Sequence, residues 1–276
     1  MPGPAVIAVR ARISEETPRD LRGVDLLSDL LRRRLGESLS VVDGRREPFG
    51  RTPWPDDLEA SREPLREAGR QLGQCLEGGS PALLLASDCS LALGTLPALA
   101  ASTASARVLW LDAHCDYDTP ETTAIGFLGC MSLAGATGAW DAGLGRPLPP
   151  ERVVLCGVRG ELDDFDGAGR AAVEASPVCM VAPGTDAETR VLSALDGGPV
   201  YVHFDPDVLD PSENPVSYAR PGGLSLDQVE GLLRAVAARG RVVGAELTAF
   251  HTDDDPARRD ALGARLVGCL AALLGF

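Results

Sequence analysis

The chain has 276 residues, a formal net charge of −14, and 45% hydrophobic but only 4% aromatic content. That charge argues against nucleic acid or an anionic membrane as the main partner, and no apolar run approaches the roughly 18–20 residues that span a bilayer. Seven widely spaced cysteines, an odd number, point to reduced thiols in a cytoplasmic protein and not to a disulfide framework; the start, MPGPAVIAVRARISEE, lacks the basic and long apolar regions of a signal peptide.

In chain order, a short apolar run at Ala5–Val9 precedes a helical pattern over Asp20–Leu35. A second strand candidate, Ser40–Asp43, leads to a helix over Asp57–Glu77, and a third, Ala82–Ala86, to a helix over Leu91–Ala101. The fourth strand, Val108–Asp112, ends in a cluster of carboxylates. Arg152–Gly157 and Val178–Val181 follow as strands, with helices over Glu161–Ala175 and Asp186–Leu195. Val200–Asp205, a helix over Leu226–Ala238, a strand at Arg241–Leu247 and a helix over Arg258–Leu274 complete the series. The acidic run at 253–255 reads as a solvated cap before that last helix. Gly and Pro mark the joints. Short strands alternating with longer helices make an α/β fold with a mostly parallel sheet. Strands that are apolar throughout, without alternation, place helices on both faces. No linker or repeat divides the chain, so a single domain over 1–276 is expected.

In such sheets the site lies beyond the carboxyl ends of the strands. There RVLWLDAHCDYDTP brings Asp112, His114, Asp116 and Asp118 together around one of only three histidines. VHFDPDVLDP carries Asp205 and Asp207 beyond another strand, and ASDCS carries Cys89 beyond a third. Carboxylates crowded at buried strand ends repel one another unless a cation sits among them. Two divalent ions would neutralise the cluster and acidify a water between them. His203 shares the parity of Asp205 and Asp207, and reads either as a core histidine or as a partner beneath the metals.

These motifs resemble a known family. DAHCDYDTPETT is similar to the signature of the arginase, agmatinase and formimidoylglutamase family, the ureohydrolases, and HFDPDVLDP with the following PGGLS is similar to its second acidic motif. GVDLLSDLLR near the start resembles the family's early helix. The resemblance implies a three-layer αβα fold around an eight-stranded sheet, with a binuclear manganese site that hydrolyses a guanidino group. Carried over by position, Cys89, Asp112, Asp116 and Asp205 hold one metal, and His114, Asp112, Asp205 and Asp207 the other. Asp116 also orients the attacking hydroxide. Asp118, Thr123 and His251 fall at substrate-binding positions.

Several positions depart from the family. Cys89 replaces a histidine ligand, which favours zinc or ferrous iron relative to manganese. A hydroxyarginine-hydrolysing branch of the family resembles the chain in this cysteine. Gly129 stands where the family has a proton-shuttling histidine, and Ile125 where it has a serine. In GAELTAFHT, aligned without gaps, Ala249 takes the place of the glutamate that contacts the guanidinium, with Glu246 and His251 at the family's Asp and Asn positions. A register shift would let Glu246 act as the catalytic carboxylate instead.

The sequence therefore reads as a hydrolase of a small guanidino or hydroxyguanidino molecule, using two divalent metal ions. A homo-oligomer is compatible with this. Two alternatives stand beside it: a relative that keeps fold and metal without catalysis, and a hydrolase of a peptide arginine or another amidine that lacks a free carboxylate.

Overall fold

The computed structural model describes residues 3–36, 39–160, 167–216, 218–252 and 254–276. Eight strands form one sheet: β1 (Ala5–Arg10), β2 (Ser40–Asp43), β3 (Ala82–Leu85), β4 (Arg107–Leu111), β5 (Val153–Cys156), β6 (Cys179–Val181), β7 (Val200–Phe204) and β8 (Val242–Leu247). Their order is β2-β1-β3-β8-β7-β4-β5-β6, and every pairing is parallel. The central strands are buried along their whole length, which is why their sequences lack alternation.

The helices are α1 (Arg19–Leu35), α2 (Trp54–Glu77), α3 (Ala92–Ser102), α4 (Ser132–Thr137), α5 (Gly167–Glu174), α6 (Ala187–Leu195), α7 (Leu226–Arg239) and α8 (Pro256–Leu274). Apolar residues of α2, α3, α4 and α5, such as Leu65, Leu96, Leu133 and Val173, fill a core on one face of the sheet. Those of α1, α6, α7 and α8, such as Leu27, Val191, Leu232 and Leu266, fill the core on the other. The result is the expected three-layer αβα arrangement.

Boundaries differ from expectation at a few points. The six-residue α4 has no counterpart among the predicted elements, because SLAGAT is too short to show a helical period. The start of the predicted helix at 161–175 lies outside the described residues. Asp255 caps α8, its carboxylate accepting from Ala257 N at 2.9 Å, and Ser225 closes a capping box on α7. Asp253, part of the predicted acidic cap, lies outside the described residues. Among the described residues no helix is long and apolar enough to cross a membrane.

Candidate metal centre

Strands β4 and β7 are adjacent and in register, with Leu111 opposite Phe204. The chain therefore leaves the sheet at Asp112 and Asp205 side by side, and Asp205 N donates to Leu111 O at 2.9 Å. Short turns then aim the carboxylates. His114 N donates to Asp112 Oδ1 at 2.7 Å, Ala113 N to Asp207 Oδ1 at 2.9 Å, and Asp207 N to Asp205 Oδ1 at 2.8 Å. Trp110 Nε1 donates to the other oxygen of Asp112 at 3.0 Å. Gly157 passes directly behind this loop: with φ of +117°, its Cβ-free backbone approaches Asp112 O so closely that a Cβ would lie 2.5 Å from it. The buried Arg159 clamps the second acidic loop, donating to the carbonyls of Asp207 at 2.9 Å, Val208 at 3.1 Å and Leu209 at 2.9 Å.

The six residues expected to hold metal come together. Cys89 Sγ, beyond β3, lies 3.0 Å from Asp205 Oδ2. His114 Nδ1 lies 2.8 Å from Asp207 Oδ2 and 3.6 Å from Asp112 Oδ1. Ligand atoms of Asp112, His114 and Asp207 fall within 4.8 Å of one another, as do those of Cys89, Asp112 and His203. Asp116 adopts a left-handed backbone (φ 48°), and its Oδ2 accepts from Ser132 Oγ at 3.0 Å.

The electrostatics of the cluster call for a cation. Burial, then repulsion from Asp207, pushes the Asp112 carboxyl up to about 6. Burial and neighbouring carboxylates hold Asp116 and Asp205 well above the usual carboxylate range, and burial beside Asp205 raises the Cys89 thiol well above its ordinary value. Burial opposes a charge on His114, but Asp207 and Asp112 outweigh it and raise the imidazole; burial likewise opposes ionisation of Asp207, and His114 outweighs it and lowers that carboxyl. Three carboxyls and a thiol that resist ionisation because they are buried and face one another are a donor set suited to divalent cations, which offset both costs.

Glu246 is placed elsewhere than the sequence led us to expect. In β8 it pairs with Leu84 on β3 and His203 on β7, one rung below the strand ends. Its carboxylate lies 2.7 Å from His203 Nδ1 and accepts from Tyr201 Oη at 2.8 Å and Thr95 Oγ1 at 2.7 Å. Glu246 is fully buried and is not among the residues that line the cavity. His203 stacks on Trp110 with ring centroids 3.5 Å apart, and Thr248 Oγ1 stands 3.3 Å from both His203 Nε2 and Cys89 Sγ. This buried network lies beneath the carboxylate cluster and joins Glu246 to Cys89 through His203 and Thr248.

Above the cluster lies a cavity of about 280 Å³. Of the predicted substrate residues, His251 lines it. Asp118 and Thr123 do not. Asp118 lies against Gly169 with its N–H donating to Cys130 O, and Thr123 Oγ1 closes a turn by accepting from Gly126 N at 3.0 Å. Ile125, Gly129 and Ala249 all line the wall. A Cβ on Gly129 would meet the Phe127 ring at 2.4 Å, so Phe127 fills the space that a side chain at 129 needs. Ala249 sits in the left-handed region (φ 50°).

Several cavity residues were not singled out from the sequence. The loop between β1 and α1 contributes Glu15 and Glu16, and the first turn of α1 contributes Asp20. Burial, then Asp88 and Asp20, raises the Glu15 carboxyl well above the usual range. Tyr218 stands at the mouth, its ring centroid 6.1 Å from that of His114 and 6.3 Å from that of His251.

Comparison with known proteins locates this arrangement. The arginase family matches residues 14–272. The Nω-hydroxy-L-arginine amidinohydrolase of Streptomyces lavendulae is 32% identical over 266 residues, covering 96% of this chain and 95% of that protein. An arginase of Brucella melitensis is 31% identical over 212 residues, 70% of this chain and 67% of its own length. Among solved structures, arginase from Bacillus caldovelox superimposes with a TM-score of 0.83 at 24% identity, covering 100% of this chain and 99% of that one. Formimidoylglutamase from Bacillus subtilis gives 0.74 at 17% identity, with 99% and 87% covered. These two structural matches show the shared fold.

Proposed function

The chain belongs to the arginase family, and from that premise we propose that it is a two-metal ureohydrolase acting on a small hydroxyguanidino compound related to Nω-hydroxy-L-arginine. The observation that carries the proposal is the meeting of six side chains of metal-ligand type at three strand ends, with Cys89 Sγ 3.0 Å from Asp205 Oδ2. In this assignment Cys89, Asp112, Asp116 and Asp205 hold one ion, and His114, Asp112, Asp205 and Asp207 the other. Manganese is the first candidate, and zinc or ferrous iron compete because a thiolate is a softer ligand than imidazole. Bound there, two such ions supply Lewis-acid chemistry, acidifying a water and polarising the substrate.

The chain's own residues do the rest. Water adds to the central carbon of the hydroxyguanidino group, the bond from that carbon to the alkyl nitrogen breaks, and hydroxyurea and a primary amine leave. Asp116, tethered through Ser132, would orient the water and pass its proton to the departing nitrogen. Phe127 occupies the space beside Gly129, so no imidazole at that position shares the proton transfer. Beyond β8, Ala249 offers no carboxylate to the substrate cation. A hydroxyguanidine is less basic than a guanidine and depends less on such a contact. The 32% identical relative, named for this substrate, supports the choice.

The test is metal analysis of protein purified without chelator, combined with product identification. The proposal expects close to two divalent ions per chain and hydroxyurea released from Nω-hydroxy-L-arginine. Metal-free protein that cannot be loaded, or urea as the sole product from any substrate, contradicts it.

A further inference from the structure

The cavity holds more negative charge than the metals account for. Among the described residues eight carboxylates line it, against one arginine. Four belong to the metal cluster. The others are Glu15, Glu16, Asp20 and Asp88, and three of these have their partners: Glu16 pairs with Arg51 at 2.9 Å, Asp20 Oδ1 lies 3.3 Å from His251 Nδ1, and Asp88 accepts from Ser90 N and Ser14 Oγ, both at 2.8 Å. Glu15 is different. It is only 4% exposed, yet its Oε1 has no hydrogen-bond partner among the described residues. Leaving a buried carboxylate oxygen unpaired is costly, and native proteins seldom do so without a ligand in view.

Glu15 is also held in position. Its Oε2 accepts from Ile13 N at 2.9 Å, which fixes one oxygen; the other is buried without a partner among the described residues, and the residue itself lines the cavity. Its carbonyl accepts from Arg12 Nε at 2.9 Å. The Arg12 guanidinium is fully buried, and its remaining groups donate to Asp57 Oδ1 at 2.8 Å and Gly50 O at 2.9 Å. A charged side chain buried and saturated in this way clamps the loop that carries Glu15.

We propose that the Glu15 carboxylate replaces the acid missing at Ala249, accepting hydrogen bonds from the N–H groups of the substrate's hydroxyguanidino head. Sheet order makes this approach available. β1 and β8 flank β3, whose end carries Asp88 and Cys89, so a group beyond β1 reaches the cavity from the side of Cys89. Glu15 is thus a specificity-determining residue that takes a planar nitrogen cation or a polyamino head group of the same shape. The inference rests on the hydroxyguanidino reading above for its substrate class.

The experiment is calorimetric titration of manganese-loaded protein with N-hydroxyguanidine, comparing wild type, Glu15→Gln and Glu15→Asp. Metal content and thermal stability are measured for each. Losing a charged hydrogen bond weakens binding on the order of tenfold to a hundredfold. We expect that loss in Glu15→Gln, and a loss in the shortened Glu15→Asp, with metal content unchanged. Glu15→Gln binding within twofold of wild type overturns the inference, as does a wild type that does not bind. The two proposals separate cleanly. Glu15-dependent binding without turnover retires the hydrolase and keeps the cation contact. Turnover with binding indifferent to residue 15 does the reverse.

Discussion

His203 Nδ1 stands 2.7 Å from Glu246 Oε1, and neither side chain reaches solvent. The pair shares one rung of the adjacent strands β7 and β8, one residue below Phe204 and Leu247 at their ends. Thr248 transmits its position to Cys89 through contacts of 3.3 Å on each side. The carboxylate that the sequence offered as a catalytic group is thus held by His203, Tyr201 and Thr95, below the cavity.

That placement makes a distinguishable prediction. Glu246→Ala strips buried partners from His203, Tyr201 and Thr95, and should destabilise the fold by about 3–5 kcal/mol, the usual cost of breaking a buried pair from one side. Glu246→Gln should cost less and should leave substrate KM nearly unchanged in the folded fraction. Chemical denaturation together with steady-state kinetics checks both. A large rise in KM at unchanged stability would instead put Glu246 on the substrate.

Asp112→Ala or Asp205→Ala should abolish binding of at least one ion. Each carboxylate lies among donors from two strand ends, so no neighbour can take over its position. The measurement is metal stoichiometry after dialysis against a manganese buffer. Wild-type content in both variants would show the site to be assigned wrongly.

Without metal, the cluster should make the protein less stable as pH rises. The folded Asp112 carboxyl is pushed up to about 6 and those of Asp116 and Asp205 lie well above the usual range, so the folded state holds more protons than the unfolded chain. His114, also raised, acts in the same sense. Stability then falls with pH above the unfolded carboxyl range of roughly 4. Asp207, lowered, acts in the opposite sense only in acid. Metal binds the deprotonated donors, so its stabilising effect should grow with pH. Thermal melts at pH 5.5 and 8, with and without manganese, should show the metal-induced shift larger at pH 8. An equal or smaller shift there counts against the cluster as the metal site.

Cys89→His should raise manganese occupancy relative to zinc. The thiol now approaches Asp205 and Thr248 at 3.0 and 3.3 Å and is raised by burial and that carboxylate. Exchanging it for a neutral nitrogen ligand removes one negative charge and the soft donor. A competition series with both metals reads the outcome, and an unchanged preference argues that Cys89 is not a ligand.

Much of the fold was legible because buried strands and amphipathic helices differ so plainly in period. The strand ends were legible because Val108–Leu111 and Val200–Phe204 are apolar runs that stop abruptly at aspartates, a pattern with few physical uses. What escaped was set by depth and by distant packing. Glu246 lies within β8, three residues before the cavity-lining Ala249, a depth that alignment by position cannot reveal. Asp118 and Thr123 turn away because the loop after β4 closes on Cys130 and Gly126. Glu15 gave no signal in ISEETP, since its role depends on Arg12 tying that loop to Asp57 and Gly50, residues far along the chain. The obstruction at Gly129 depends on the Phe127 rotamer, which no spacing encodes.

The most direct measurement is a side-by-side determination of kcat/KM for fully metal-loaded enzyme on Nω-hydroxy-L-arginine, L-arginine and agmatine. A cavity with Ala249 in place of an acid and Phe127 beside Gly129 should favour the less basic substrate. The account predicts kcat/KM for the hydroxyguanidino compound at least on the order of tenfold above the other two, equivalent to about 1.4 kcal/mol in transition-state binding. Preference for L-arginine, or no turnover of any of the three at full metal occupancy, contradicts it.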